Sequence, residues 1–156
     1  MEAHHSLGLR FSSGFCIDIL RRHALDVILL AGRWTLLDRS AEDSLVALCR
    51  ERGTSLVLGG IFNSGILATG PVEEAHFDYK IAGPDVLAKV TDLKKASEER
   101  ALTLATASLQ FAHSRKGVVS VLIGTAKSAS LTRNLSALKE PIDETALEHI
   151  SSVISC

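Results

Sequence analysis

Aromatic residues are scarce in this sequence, and their scarcity argues against several functional classes. Phe, Tyr and Trp make up 4% of the 156 residues, and Trp34 and Tyr79 are the single residues of their kinds. Proteins that bind single-stranded nucleic acid stack bases on aromatic rings, and many recognition surfaces are rich in Tyr. Lys and Arg (17) nearly balance Asp and Glu (18), so no excess positive charge attracts nucleic acid or an anionic membrane. The composition predicts an aliphatic core and no nucleic-acid partner.

Cysteines and long apolar runs are also few. Cys16, Cys49 and Cys156 are widely spaced and form no CxxC pair, which predicts neither a disulfide framework nor a metal site. This usage favours a cytoplasmic location. Apolar runs such as Val27–Ala31 are far shorter than the ~18 residues that a membrane span requires. Residues 1–6 lack the charged-then-apolar pattern of a signal peptide, so we expect neither a targeting segment nor a membrane segment.

What the sequence has is a regular alternation of short apolar runs with amphipathic stretches. With 46% hydrophobic and 22% charged residues, it has the composition of one packed domain over residues 1–156. The alternation predicts an α/β domain with parallel strands covered by helices. The predicted strands are residues 6–11, 26–31, 55–59 and 118–123. The last three are almost continuously apolar, which is typical of strands buried on both faces.

Capping signals mark the helices between these strands. The predicted helices are residues 15–23, 40–52, 84–100, 102–113, 128–140 and 143–155. Ser40 and Ser128 are predicted N-caps, and Gly53 follows the end of the second helix. Pro84 suits a first helical turn, and Pro141 stops the fifth helix. A long insertion, residues 60–83, follows the third strand, and no linker divides the chain.

Two glycine-containing loops follow buried strands. The first, Gly59-Gly60-Ile61-Phe62-Asn63-Ser64-Gly65, is compatible with a loop whose backbone amides hold a phosphate. It matches neither GxGxxG nor GxxxxGK[ST], and a tight exit from the strand is the alternative. The second, Ile123-Gly124-Thr125-Ala126-Lys127-Ser128, places Lys127 beside a helix N-terminus, where anions bind. Lys127 as a solvated loop lysine is the alternative there. Ligand sites in α/β folds lie at the carboxyl ends of neighbouring strands, so the two loops together favour a phosphate-bearing cofactor.

The residues around these loops resemble the aldo-keto reductase superfamily. The resemblance rests on Leu29-Leu30-Ala31-Gly32-Arg33-Trp34-Thr35-Leu36-Leu37-Asp38 and on residues 58–70, which run Leu-Gly-Gly-Ile-Phe-Asn-Ser-Gly-Ile-Leu-Ala-Thr-Gly. Ser108-Leu109-Gln110-Phe111, and Gly124 with Asn134 ten residues later, extend it to cover about residues 7–140. Within the superfamily, the sequence is most similar to the branch of L-fucose (D-threo-aldose) 1-dehydrogenase and pyridoxal 4-dehydrogenase.

The resemblance implies a fold, a cofactor and a set of contacts. The fold would be the second half, strands five to eight, of a (β/α)8 TIM barrel with a C-terminal helix, and the cofactor would be NADP or NAD. Residues implied to meet the cofactor pyrophosphate are Phe62, Asn63 and Gly65. Residues implied to meet its adenosine end are Gly124, Lys127, Ser130 and Asn134.

Departures from the family pattern bear on catalysis. Arg10, Phe11 and Ser12 stand where relatives often carry an Asn that contacts the nicotinamide, and Gly59 or Gly60 replaces an aromatic residue that stacks on it. The family's catalytic Asp, Tyr, Lys and His belong to the barrel half that this sequence does not match. His76, Tyr79 and Lys80 lie close together in the insertion, and we interpret them as a surface cluster. The sequence thus predicts no catalytic residue in this chain.

Two functional hypotheses follow. In the first, the chain is a truncated aldo-keto reductase that keeps the cofactor-phosphate loops, whereas its parent family oxidises aldoses or aldehydes. In the second, the chain is a non-catalytic half-barrel that dimerises or pairs with another chain. A four-stranded half-barrel leaves two open strand edges and an apolar face, and pairing with a complementary half-barrel would cover both.

Overall fold

A computed structural model describes residues 6–7 and 13–154. In chain order its elements are β1 (Ser6–Leu7), α1 (Ser13–Arg22), β2 (Val27–Ala31), α2 (Ala47–Arg52), β3 (Ser55–Gly59), α3 (Ile66–Thr69), β4 (His76–Phe77), β5 (Lys80–Ile81), α4 (Pro84–Glu99), α5 (Leu104–Ser114), β6 (Val118–Leu122), α6 (Ser128–Lys139) and α7 (Glu144–Ser152). A π-helical turn, Glu42–Val46, leads into α2, and a 3-10 turn, Asn63–Gly65, leads into α3. No helix among these residues is both long and apolar enough to span a membrane.

The sheet confirms the predicted fold class. Its order is β1-β2-β3-β6, and every pair of neighbouring strands is parallel. Ala31 pairs with Gly59, so the loops after β2 and β3 leave the sheet side by side. The first predicted strand, residues 6–11, is represented by Ser6–Leu7, and the rest of that prediction lies outside the described residues.

The prediction that the strands are buried on both faces is wrong. In β2, Ile28 and Leu30 are buried, whereas Val27, Leu29 and Ala31 between them are only half-buried. β3 alternates in the same way over its first four residues. Successive side chains of a strand point to opposite faces of the sheet. The alternation therefore means that helices bury one face of the sheet, whereas the side chains on the other face are only partly buried.

The edge strand β6 departs furthest from that prediction. Val119 and Leu122 expose 64% and 59% of their surface. Leu56 pairs with Val118 and Val57 pairs with Ser120, so Val119 bulges out of the register. Leu131 and Leu135 on α6 are also exposed. The described part of the chain thus exposes apolar side chains both on its edge strand β6 and on α6, and we call these two elements together the β6–α6 edge.

Some helix ends agree with the sequence and others differ: α1 begins at Ser13 rather than at residue 15, and Thr103 caps α5, which was predicted to begin at residue 102. Gly53 ends α2 with φ 69°, and the Asp143 side chain accepts a 3.0 Å bond from the Ala146 amide at the start of α7. Ser40 is not an N-cap, because the chain first makes the π-helical turn, which has no side-chain cap. Ser128 is not one either. The Thr125 hydroxyl accepts the Lys127 amide at 3.2 Å, so Lys127 occupies the cap position and Ser128 is already helical.

Two hydrophobic clusters stabilise the fold. The sheet cluster joins the buried faces of β2 and β3 to α1, α2, α5 and α6 and includes Trp34 and Leu58. The helical cluster joins α3, α4, α5 and α7 and includes Leu93, Phe111 and Leu147. Phe62, at the start of the predicted insertion, packs against both clusters.

Candidate functional site

Most of the predicted site residues line one cavity. The cavity has a volume of about 890 Å³ and lies where the loops after β3 and β6 meet the segment from α4 to α5 and helix α6. Five of the seven predicted residues line it, namely Phe62, Gly65, Gly124, Ser130 and Asn134. Asn63 and Lys127 do not.

Asn63 lies beneath the cavity wall with 4% of its surface exposed. Its side-chain Nδ2 donates to the Gly32 carbonyl at 3.1 Å, and its Oδ1 accepts the Thr35 hydroxyl at 2.6 Å. The Thr35 oxygen in turn accepts the Asp38 amide at 2.9 Å. Because both ends of the Asn63 amide bond protein groups, this residue ties the loop after β3 to the loop after β2.

The two loops also approach each other through their backbones. The Gly32 amide donates to the Gly59 carbonyl at 2.9 Å, and a Cβ on Gly60 would lie 3.4 Å from the Gly32 nitrogen. Gly65 lines the cavity with φ +98°, a conformation that residues with a Cβ rarely adopt. These glycines permit the tight turn that carries Phe62 and Gly65 to the cavity.

The second wall of the cavity is formed by the loop after β6 and by helix α6. Lys127 is exposed at the N-cap, where the Ser130 amide donates to its carbonyl at 3.0 Å. Ser130 and Asn134 follow at positions that share one helix face. The positive end of a twelve-residue helix therefore lies beside Gly124, and an anion is favoured there by the helix dipole.

Two cationic side chains that line this cavity were not predicted from the sequence. Arg133 lines it from α6 and donates to the Ser130 hydroxyl at 3.1 Å, and Lys94 lines it from α4, 3.8 Å from Glu98. Arg133 follows Ser130 by three residues, so on the predicted helix both lie on one face. That spacing could have indicated that Arg133 lies beside Ser130 at the site. Lys94 comes from a distant helix, and no sequence pattern links it to the loops.

The cavity has the size and the mixed lining of a small-molecule site. Small-molecule sites commonly measure about 300–1,000 Å³ and combine apolar walls with a few convergent polar groups. Here Phe62, Leu102 and Ile123 supply apolar surface, and a Cβ on Gly124 would meet nothing within 4 Å. Lys94 and the Arg133 guanidinium supply positive charge that can bind a phosphate.

The cluster of His76, Tyr79 and Lys80 lies on the exposed hairpin of β4 and β5, and all three are exposed. Tyr79 exposes 72% of its surface. A second cavity, of about 530 Å³, lies under this hairpin and is lined by Arg33 and by residues 77–83. Arg33 donates to Asp38 at 2.8 Å and to Asp78 at 2.7 Å, and these bonds hold its pKa above the ordinary value.

A parallel β/α sheet with glycine-containing loops at the carboxyl ends of adjacent strands is the architecture of α/β barrels and of open α/β sheets, in which ligands bind at that end of the strands. The sequence profile of the aldo/keto reductase family matches residues 11–155. The chain belongs to this family.

Two curated relatives support the branch that the sequence indicates. Pyridoxal 4-dehydrogenase of Microbacterium luteolum is 36% identical over 127 residues, which cover 81% of this chain and 37% of that protein. D-threo-aldose 1-dehydrogenase of a Pseudomonas species is 30% identical over 116 residues, which cover 74% of this chain and 35% of that protein. The chain thus spans little more than a third of these relatives.

Solved structures show the same fold. An aldo-keto reductase of Bacillus halodurans in its holo form superposes with a TM-score of 0.70 at 21% identity, over 88% of this chain and 44% of its own. The glycerol dehydrogenase of Gluconobacter oxydans superposes with a TM-score of 0.63 at 16% identity, over 87% of this chain and 44% of its own. The chain therefore has the fold of part of an aldo-keto reductase barrel.

Proposed function

We propose that this chain is the cofactor-phosphate-binding part of an NAD(P)-dependent aldo-keto reductase that acts on aldoses or aldehydes. One observation carries the proposal: the loops after β3 and β6, which are far apart in sequence, converge on a single cavity beside the N-terminus of α6. Family membership supports a nicotinamide cofactor, and the names of the two relatives support an aldehyde or sugar substrate. Cys16 and Cys49, which form no disulfide in the described part of the chain, are compatible with the cytoplasmic location that we propose.

In this proposal each wall has a role. Phe62 and Gly65 meet the pyrophosphate, and Asn63 holds their turn in place from beneath. Gly124, Ser130 and Asn134 receive the adenosine end. Lys127 and Arg133 supply positive charge, which suits a 2'-phosphate as well as a pyrophosphate. The cofactor can therefore be NADP or NAD.

Bound cofactor supplies the hydride chemistry, and the reaction also needs a group that moves a proton at the substrate carbonyl. The resemblance to the family implies that this group belongs to the other half of the barrel. We therefore propose that the chain binds cofactor weakly and does not turn substrate over alone.

Calorimetric titration of the purified chain with NADP+ and NAD+ tests the site. The other half of the barrel contributes no contacts to the cofactor in this experiment. Part of the entropy that the cofactor loses on binding is therefore not compensated, and we expect a dissociation constant of about 0.1–3 mM. Lys127→Ala and Arg133→Ala should each weaken NADP+ binding about three- to tenfold.

Lys116→Ala serves as the matched control, because Lys116 is an exposed cation near the opposite end of β6. Its affinity should equal that of the wild type. Absence of binding at 10 mM nucleotide, about threefold above the weakest expected constant, would contradict the proposed site.

We further propose that the β6–α6 edge is covered by the complementary half of an aldo-keto reductase barrel. The unpaired side of the edge strand and the exposed apolar side chains of β6 and α6 are features that such a half would bury. The chain matches only 37% and 35% of the two curated relatives, so the unmatched part of each relative is long enough to contain four further strands. A second copy of the chain on this edge is the other outcome that an association experiment can reveal.

A further inference from the structure

Three chain segments beside the cavity are joined in a closed circuit of hydrogen bonds. The Gly32 carbonyl accepts Asn63 Nδ2 at 3.1 Å, the Ser64 hydroxyl accepts the Tyr79 amide at 3.1 Å, and Asp78 Oδ2 accepts Arg33 Nη2 at 2.7 Å. We call these bonds the three-segment ring. Its residues are Gly32, Arg33, Asn63, Ser64, Asp78 and Tyr79.

The backbone at the ring is strained. Asn63, Ser64, Asp78 and Tyr79 have φ values of 44°, 61°, 51° and 64°. Most residues with a Cβ adopt this region at a cost of about 1–2 kcal/mol each, whereas Asn and Asp adopt it more readily, so the strain falls mainly on Ser64 and Tyr79. Such conformations persist only where the surrounding structure holds them, and they concentrate at functional sites. The ring supplies side-chain bonds at both strained pairs.

The ring meets the cavity through the turn that precedes α3. Asn63 and Ser64 lie between Phe62 and Gly65, which line the cavity. Ser64 is exposed, and its hydroxyl holds the hairpin of β4 and β5 through the Tyr79 amide. The position of the hairpin is therefore coupled to the shape of the cavity wall.

Arg33 fixes that hairpin from the loop after β2. Its guanidinium bridges Asp38, which is largely buried, and Asp78, which is about half exposed. We infer that Arg33 is a positioning residue: by anchoring the hairpin through Asp78, it holds the turn from Phe62 to Gly65 in the shape that binds the cofactor phosphates. This inference rests on the proposed function, and its structural part can be measured without the cofactor.

The test compares Asp78→Asn with Lys80→Gln in the purified chain. Lys80 lies on the same hairpin, is exposed and belongs to no bond of the ring. Hydrogen exchange of peptides covering residues 61–67 and 75–83 reports on the turn and the hairpin. Asp78→Asn should speed exchange about three- to tenfold in both peptides, whereas Lys80→Gln and a peptide over β2 should show no change.

Ser64→Ala removes a different bond of the ring and should speed exchange in the same two peptides. If Asp78→Asn leaves the turn peptide unchanged, the inference is wrong. NADP+ affinity should fall about threefold in Asp78→Asn, since a loosened wall must be reordered on binding. If wild type binds no nucleotide yet Asp78→Asn loosens the turn, the proposed function fails and the coupling stands. If the turn loosens and affinity is unchanged, the positioning role is overturned.

Discussion

Asn63 holds two loops together from a buried position. Its amide bonds the Gly32 carbonyl and the Thr35 hydroxyl, and both partners lie in the loop after β2. The sequence could not reveal this role, because Asn63 and Gly32 are 31 residues apart and their contact depends on the parallel register of β2 and β3.

Replacing Asn63 by Ala tests that role. We expect the free energy of unfolding to fall by about 2–4 kcal/mol, because the substitution leaves buried polar partners unpaired and places Ala at a positive φ. Urea denaturation followed by circular dichroism measures the change. Ser64→Ala is the control, and it should cost less than about 1 kcal/mol, because Ser64 is exposed and keeps the same backbone conformation. Equal losses in the two variants would contradict the role.

Cys49 was predicted to be a core residue, and the structure confirms it with 1% exposure. Burial, with a smaller contribution from Cys16, raises the pKa of its thiol to about 11. An unfolded Cys ionises near pH 8.5. The folded state therefore keeps a proton that the unfolded state loses, and stability falls as pH rises from about 8.5 to about 11.

Comparison of the wild type with Cys49→Ala isolates this effect. The free energy of unfolding of the wild type, relative to that of Cys49→Ala, should be constant below pH 8.5 and should fall by up to about 1.4 kcal/mol per pH unit above it. Urea denaturation at pH 7.5, 9 and 10 gives the values. A difference that is the same at all three pH values would contradict the raised pKa.

At the scale of elements, the Arg39 side chain links α7 to the loop after β2 by hydrogen bonds. Arg39 Nη2 donates to the carbonyls of Ser151 and Ile154, at 3.0 Å in each case. These carbonyls belong to the end of the helix, where cations are favoured by the helix dipole. The sequence predicts the start of α7, because Asp143 caps it. The end of α7 is instead held by Arg39, which lies more than a hundred residues earlier in the sequence.

Arg39→Met should loosen α7 without unfolding the domain. Charge-assisted hydrogen bonds contribute about 1.5–3 kcal/mol, so amide exchange within residues 144–152 should accelerate at least about tenfold. Exchange in β3 should be unchanged. Lys95→Met is the control, since Lys95 is an exposed cation on α4. If amide exchange in α7 is no faster in Arg39→Met than in Lys95→Met, the Arg39 bonds do not hold the helix and its apolar face alone does.

The elements also show what local signals can and cannot specify. Gly53 and Asp143 mark helix ends correctly, because those signals act within four residues. Ser128 and Ser40 mislead, because Thr125 bonds the Lys127 amide first and a π-helical turn precedes α2. Continuous apolar runs predicted strands correctly but not their burial, since burial depends on what faces the sheet.

At the scale of the molecule, we expect the β6–α6 edge to direct association. The purified chain should sediment as dimers or larger species, because Val119 and Leu122 on β6 and Leu131 and Leu135 on α6 expose apolar side chains. The pair Leu131→Lys and Leu135→Lys should reduce association, whereas charging Val72, an exposed residue elsewhere, should not. A compact monomer of the wild type would contradict this expectation.

Co-expression distinguishes the occupants of that edge. The portion of pyridoxal 4-dehydrogenase from Microbacterium luteolum that this chain does not match should co-purify with the chain, because it supplies the complementary strands. The Leu131→Lys and Leu135→Lys variant should abolish co-purification. Association of the chain with itself alone would identify a second copy as the occupant.

The candidate site was only partly predictable, because some of its residues reach the cavity through the packing of the whole molecule. The motifs after β3 and β6 located Phe62, Gly65, Gly124, Ser130 and Asn134, because loops at the carboxyl ends of neighbouring strands must converge. Lys94 was missed, since α4 reaches the cavity only through the packing of the helical cluster. The sequence also gave no sign that Asn63 would lie beneath the wall.

The position of Phe62 has a consequence for how this molecule unfolds. It packs against both the sheet cluster and the helical cluster, which otherwise contain different residues. Helix α5 also contributes to both, with Phe111 in the helical cluster and Leu109 in the sheet cluster, so Phe62 and α5 couple the unfolding of the two clusters. The cavity is lined by Phe62 and by the start of α5, so a nucleotide bound there would stabilise both clusters together and raise a single melting temperature.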